Sequence, residues 1–281
     1  MRALIIVIIV VVVLLVLIGL YLLSIKPVSG KLKRARRKKA KPFMENMVAH
    51  RGLFDNKSSA PENTIPAFKN AVEKGYPIEL DVQLTVDNKL IVFHDDNMQR
   101  VCGIDHIIYK NTFEEIRKYN ILESEEKIPL FSEVLEAVDG KVPLLIEIKS
   151  AGNCINTAKA LSKELENYDG IYAVESFNPL AVGWYKKHHP EILRGQLSTN
   201  FYRNKMPVNP VMGFFLSNMV FNFISKPDFI AFNYKYTDYP SYRIIKSLYK
   251  PLLACWTVRN KKVLRKVKKD FDMFIFDSFE P

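Results

Sequence analysis

Three regimes of apolar and polar positions follow one another along the 281-residue chain. Residues 3–23 form an apolar run without a single charge, which as a helix would span roughly 30 Å, the thickness of a bilayer core. Residues 26–45 are polar and largely basic. From Asn46 onward, short apolar runs alternate with stretches whose apolar residues recur three and four positions apart. That rhythm predicts strands near residues 47, 78, 143, 171, 192, 228, 252 and 273. Helices are predicted between them: one capped by Asn63-Thr64 and ended by Gly75, then Ser132–Val138, Cys154–Glu166, Pro179–His188, Tyr239–Leu248 and Lys261–Lys269. Leu90–Phe93 is left over as a hairpin partner of the Ile78 strand across an Asp87-Asn88 turn. Residues 99–128 keep only a weak period, with a charged helical piece at Phe113–Tyr119, and read as an excursion.

Eight strands alternating with helices over about 240 residues predict a TIM (β/α)8 barrel with a small insertion after the second strand. A doubly wound sheet satisfies the same alternation. The polar residues favour the barrel. His50, Asp81, Glu147 with Lys149, Glu175 with Ser176, Gln196, Asn233, Trp256 and Asp277 each fall at or beside the carboxyl end of a different strand, where barrels carry their active sites. No glycine-rich phosphate loop follows the first strand, which argues against a nucleotide-binding Rossmann fold. The chain thus divides into a transmembrane anchor at 1–25, a basic juxtamembrane linker at 26–45, acting as a tether, and a barrel at 46–281.

Charge changes the picture only once it is located. Of the net +11, ten Lys or Arg lie in residues 1–41 with no acid among them, which leaves +1 for the rest. A nearly neutral body excludes nucleic acid as its partner. The apolar run is longer than a signal-peptide core and is followed by SIKPVSGKLKRARRKKAK, which holds rather than invites cleavage. Nine basic residues between Lys26 and Lys41 place the body in the cytoplasm by the positive-inside rule. Three cysteines without metal or disulfide spacing agree with a reducing compartment.

The stretch IELDVQLTVDNKLIVFHD, residues 78–95, concentrates the candidate chemistry. Alternation puts Glu79 and Asp81 on one strand face; a half-buried strand with solvated carboxylates would read the same way. With Glu147 they form a hard oxygen set suited to Mg²⁺ or Ca²⁺. His50 and His94 reach the same rim and can divide base and acid work, while Arg51 and Lys149 can hold a phosphate. Together these suggest metal-assisted phosphodiester cleavage. Glu62 is either a site residue or helix-start chemistry, and Trp256 either barrel core or a substrate wall.

The motifs His50-Arg51-Gly52, Pro61-Glu62-Asn63-Thr64 with Ala67-Phe68, Glu79-Leu80-Asp81-Val82 with Thr85 and Asp87, and His94-Asp95 with Arg100 follow in that order. With Ile128-Pro129, Glu133, Glu147-Ile148-Lys149, Ser176-Phe177, Trp256-Thr257-Val258 and Asp277, they resemble the glycerophosphodiester phosphodiesterase family over residues 47–281. The resemblance implies a TIM barrel with an insertion after the His94 strand. It implies a divalent metal on Glu79, Asp81 and Glu147, acid–base work by His50 and His94, and phosphate binding by Arg51 and Lys149. It further implies attack by the glycerol hydroxyl next to the phosphate, expulsion of an alcohol through a cyclic phosphate, and ring opening to glycerol phosphate. Pro129-Leu130-Phe131, Val101-Cys102 and the closing segment depart from the family pattern and leave the leaving-group pocket open. A lysolipid-cleaving hydrolase of the lysophospholipase D type and a silent anchored scaffold are the rival functions.

One segment stands outside these motifs. MGFFLSNMVFNFI, residues 212–224, carries apolar residues on nearly every side and no charge. It is either a helix against the barrel wall or a loop that dips into the bilayer interface.

Overall fold

The computed structural model describes residues 1–281, the side chain of Lys31 excepted. Its nine strands are β1 Val48–His50, β2 Ile78–Leu84, β3 Leu90–Val92, β4 Leu144–Ile148, β5 Tyr172–Ser176, β6 Leu193–Ser198, β7 Phe229–Asn233, β8 Leu252–Val258 and β9 Met273–Phe276. Eight pair in parallel in the order β1, β2, β4, β5, β6, β7, β8, β9 and close back on β1, with Ala49 opposite both Ile78 and Phe276. The fold is a TIM barrel, and the doubly wound alternative falls because an open sheet has no such closing pair. β3 lies antiparallel on β2, Val82 opposite Val92, as the hairpin reading required.

Alternation along the strands decides what the barrel encloses. Ile78, Leu80, Val82, Ile146 and Val174 belong to the outer core beneath the helices. Leu145, Ala173, Leu193, Leu197, Ala231, Ala254 and Ile275 fill the lumen. Gly195 leaves room in that lumen for the Phe229 ring, which would lie 2.2 Å from any Cβ there. The excursion after β3 is compact rather than loose. Ile91, Phe93, Met98, Val101, Ile108, Ile116, Ile121 and Ile128 form an apolar cluster of their own. Its charged helical piece is shorter than its sequence suggests, Phe113–Ile116, opened by a Thr112–Glu115 capping box.

Residues 26–45 are not a tether. Helices Gly30–Lys39 and Lys41–Glu45 lie across the floor of the barrel, at the amino ends of the strands. Arg36 Nε pairs with Asp228 Oδ1 at 3.2 Å, its guanidinium also donates to the carbonyls of Pro190 and Glu191, and Arg37 bonds Asp272 Oδ1 at 2.7 Å. Asp228, Pro190, Glu191 and Asp272 all sit just before a strand. Ala40 and Phe43, both buried, close the lumen from below. A run of arginines reads as a solvated linker because sequence cannot show that carbonyls and carboxylates wait beneath the barrel.

Candidate active site

At the opposite end, the turn after β1 lifts His50-Arg51-Gly52 over the lumen. Arg51 takes φ 57° and Gly52 φ 84°, and a Cβ on Gly52 would stand 2.9 Å from the Ala67 backbone, so glycine is required there. The Arg51 N–H donates to Glu79 Oε2 at 3.0 Å, which ties the turn to β2.

Glu79 and Asp81 point inward and are buried, which removes the solvated-face reading. Register brings Asp81 level with Glu147, and Glu147 level with Glu175. One carboxylate oxygen from each of Glu79, Asp81 and Glu147 lies within 4.8 Å of the others. Lys149 Nζ stands 3.0 Å from Glu147 Oε1 and 3.4 Å from Asp81 Oδ1, and Arg51 Nε 3.5 Å from Asp81 Oδ2. Burial and crowding by neighbouring carboxylates push Glu79 and Glu175 well above the usual range. Burial likewise carries Glu147 to about 7 despite Lys149. Burial also opposes ionisation of Asp81, but Lys149, His94 and Arg51 outweigh it and hold that carboxyl low.

Four buried carboxylates therefore face two fixed cations. A divalent ion would supply the missing positive charge, and the donors are the hard oxygens that Mg²⁺ or Ca²⁺ prefers. Asp81 Oδ1 accepts no hydrogen bond, with Lys149 Nζ at 3.4 Å, so it keeps lone pairs that suit a metal ligand. The residues fit such an ion.

Both histidines are oriented from behind. His50 Nδ1 donates to Asp277 Oδ2 at 2.9 Å, and Asp277 is itself held by Arg259 and Ser278. His94 Nδ1 donates to Asp95 Oδ1 at 2.5 Å, with Arg100 gripping Asp95. Each ring thus keeps Nε2 for chemistry, His50 Nε2 standing 3.9 Å from Glu79. Burial, with the nearby Arg51 charge, lowers His50 to about 4. Burial and Lys149 lower His94 as well.

Glu62 lies a step behind the cluster. It accepts from Arg51 Nη1 at 2.6 Å, from Arg100 at 2.6 and 3.0 Å, and from Asn56 at 2.9 Å. Burial would raise it, yet these donors bring it down to about 2. Its neighbour Asn63 donates to Asp81 Oδ2 at 2.9 Å, so Pro61-Glu62-Asn63-Thr64 serves the site as well as the helix start. Trp256 stands half-buried over the lumen, edge to face with Phe177 at 5.7 Å, and Phe177 in turn meets Phe201 at 5.9 Å.

Three residues at strand ends serve the scaffold. Gln196 donates to the carbonyls of Ser176 and Phe177, Ser176 to that of Ile148, and Asn233 accepts from the Lys235 N–H. Asp277 and Asp95 had no role in the sequence reading. The signal was present for Asp95, adjacent to His94; Asp277 is 227 residues from His50 and meets it only because β9 closes on β1.

The profile of the Glycerophosphoryl diester phosphodiesterase family matches residues 50–280. A glycerophosphodiester phosphodiesterase of Caldanaerobacter subterraneus is 37% identical over 164 residues, which are 54% of this chain and 65% of that relative, slightly under two thirds of its length. A putative glycerophosphodiester phosphodiesterase of Bacillus subtilis is 30% identical over 233 residues, covering 79% of this chain and 89% of its own. The solved structure of an Oleispira antarctica phosphodiesterase in complex with the product sn-glycerol-3-phosphate superposes with a TM-score of 0.67 at 22% identity, over 85% of this chain and 95% of that one. With the family profile covering the whole barrel, from His50 to its closing segment, the chain belongs to the glycerophosphoryl diester phosphodiesterase family.

Proposed function

We propose that the protein is a membrane-anchored hydrolase that cleaves glycerophosphodiesters to glycerol 3-phosphate and an alcohol. The observation that carries this reading is the convergence, on one rim, of the Glu79–Asp81–Glu147 set with two histidines, each oriented through Nδ1 by its own aspartate. A divalent ion on the three carboxylates would supply charge stabilisation for the phosphoryl oxygens. Arg51 and Lys149 flank that position and bind the phosphate, and Glu62 fixes the Arg51 guanidinium for the purpose. His50, neutral at pH 7 with a free Nε2, takes the proton of the glycerol hydroxyl beside the phosphate. His94 is paired to Asp95, and the anionic diester beside it raises its affinity for the proton it delivers to the leaving alcohol as the glycerol oxygen bonds phosphorus and the bond from phosphorus to the alcohol oxygen breaks. Water then adds to the cyclic phosphate, giving its proton to His94, while His50 returns its proton to the departing glycerol oxygen, which yields glycerol 3-phosphate. Trp256 and Phe177 wall the side where that alcohol sits.

The test is product analysis on a panel of soluble glycerophosphodiesters and lysophospholipids, with and without chelator, alongside Glu79→Gln and Asp81→Asn. Glycerol 3-phosphate is expected, with activity lost on chelation and in both variants while the domain stays folded. Release of lysophosphatidate from lysolipids in preference to the soluble diesters would favour the lysophospholipase D type of activity. Full turnover by Asp81→Asn in metal-free buffer would remove the metal assignment.

A further inference from the structure

The anchor helix is fixed to the barrel, and its direction can be read from its contacts. The Val28 N–H bonds the Pro227 carbonyl, two residues before β7 and so level with the floor. Lys226 Nζ donates to the Lys26 carbonyl, and Asn222 Nδ2 to that of Ile25 at 2.9 Å. Tyr249 OH donates to the Leu22 carbonyl at 2.6 Å. Tyr21 packs against the same core as Tyr239, which follows β7 and whose hydroxyl accepts from Asn218. From Val28 at Pro227 to Ile25 at Asn222 the chain rises along the wall away from the foot of β7, and Tyr249, whose backbone lies at the foot of β8, reaches Leu22 with its hydroxyl, so the helix heads from the floor toward the catalytic end. Residues 2–18 then stand clear of the barrel and exposed, over about 25 Å of apolar helix.

The segment from Met212 to Ile224 is two pieces rather than one. Its lower piece, Asn222–Ser225, packs between the anchor and the helix Pro179–His188, as a barrel-wall helix does. The upper piece, Pro210–Ser217, is folded back over the end of β6, its Ser217 hydroxyl accepting from the Phe201 N–H. There Val208, Val211, Met212, Phe214 and Phe215 are exposed, Val211 to 66% and Phe214 to 52%. This crest immediately precedes Asn218, so it stands at the level where the anchor leaves the barrel. It is also continuous with the mouth, since Phe201 continues the Trp256–Phe177 wall.

We infer that the catalytic mouth faces the bilayer that holds the anchor, and that the crest at 208–215 is seated in the acyl–headgroup boundary of that bilayer. The inference rests on Arg2–Ile25 being the membrane span. A span that leaves the barrel past the carboxyl ends of the strands puts its membrane on that side; a span leaving from the floor would have turned the mouth to solvent. An uncharged aromatic and aliphatic ridge beside the exit point then meets lipid instead of water. The occupant of the crest is the bilayer itself, and diesters reach the site from its surface along the Phe201–Phe177–Trp256 wall.

The test uses the full chain in phosphatidylcholine–phosphatidylglycerol vesicles that carry a lipid spin-labelled high on the acyl chain. A bimane probe is attached at Val211→Cys, at Phe214→Cys or, on the floor side, at Lys141→Cys, in a Cys102→Ser background. Quenching at 211 and 214 is expected to exceed that at 141 severalfold. Val211 is exposed, so its variant folds even if Phe214→Cys does not. Protein that floats with the vesicles but shows equal or reversed quenching overturns this orientation and leaves the anchor standing. Protein that does not float at all overturns the anchor reading and the orientation together, and leaves turnover of soluble diesters, measured in parallel, as the separate gauge of the proposed activity.

Discussion

Replacing Glu62 with Gln isolates the one carboxylate that holds Arg51, the proposed phosphate ligand, without belonging to the proposed metal set. The native carboxyl sits at about 2 against an ordinary 4.5, a difference worth about 3 kcal/mol of preference for the ionised form in the folded state. Arg51 is buried but Arg100 is half-exposed, so screening trims the cost of a neutral amide to about 2 kcal/mol. The sign follows from a folded pKa below the unfolded one. Stability from this group is fully present above pH 4.5 and is lost as pH falls toward 2, by about 1.4 kcal/mol per pH unit. Urea unfolding of both proteins in detergent, followed by tryptophan fluorescence from pH 7 to pH 3, should show a gap of about 2 kcal/mol that narrows below pH 4.5 and nearly closes by about pH 3. In parallel, the loosened Arg51 should weaken apparent phosphodiester affinity about tenfold or more, more than it slows turnover. A gap that stays constant down to pH 3 would mean that Glu62 matters through packing, and the charge argument would fail.

Alanine at His50 or at His94 should slow turnover by roughly a hundredfold or more with metal binding retained, since proton transfer is what each is proposed to supply; isothermal titration with metal and a steady-state assay check the two halves, and wild-type rates in both variants would dismiss the pair. The body is expected in the cytoplasm from the basic residues after the span. An impermeant maleimide should therefore leave Lys38→Cys, an exposed floor position, unlabelled on intact cells and label it after permeabilisation; labelling from outside would reverse the topology.

What the sequence showed and what it hid have physical reasons. Strand alternation is local, so Glu79 and Asp81 on one face, and Ile78, Leu80 and Val82 on the other, were legible from period two alone. The order of strands and helices was legible for the same reason, down to Pro179–His188. Contacts made by barrel closure were not, and the His50–Asp277 pair is one of these. Arg100 illustrates the middle case. Its place after His94-Asp95 was visible, but its grip on both Asp95 and Glu62 depends on how the insertion folds back over the Pro61–Thr64 turn. The apolar segment at 212–224 was ambiguous because it is two things: a wall piece and an exposed crest, joined at a turn where Met219 takes φ 52°.

The basic run carries the last step. Nine cations without an acid between Lys26 and Lys41 look like a solvated leash, and a leash would leave the mouth free to point anywhere. Instead Arg36 is buried against Asp228, and Phe43 stops the lumen. Taking Arg36 away strips Asp228 of its closest cation, leaving Arg194 at 3.6 Å, and breaking such a buried pair costs on the order of 3–5 kcal/mol. Arg36 and Arg37, which the positive-inside rule counts for topology, thus also lock the floor, and the separate Val28–Pro227 backbone bond holds the foot of the helix Arg2–Ile25 against it. A soluble body cut after residue 41 would lose both. With residues 2–25 as the proposed span, the orientation we infer is set by contacts between residues 21–43 and the barrel rather than by the length of a linker.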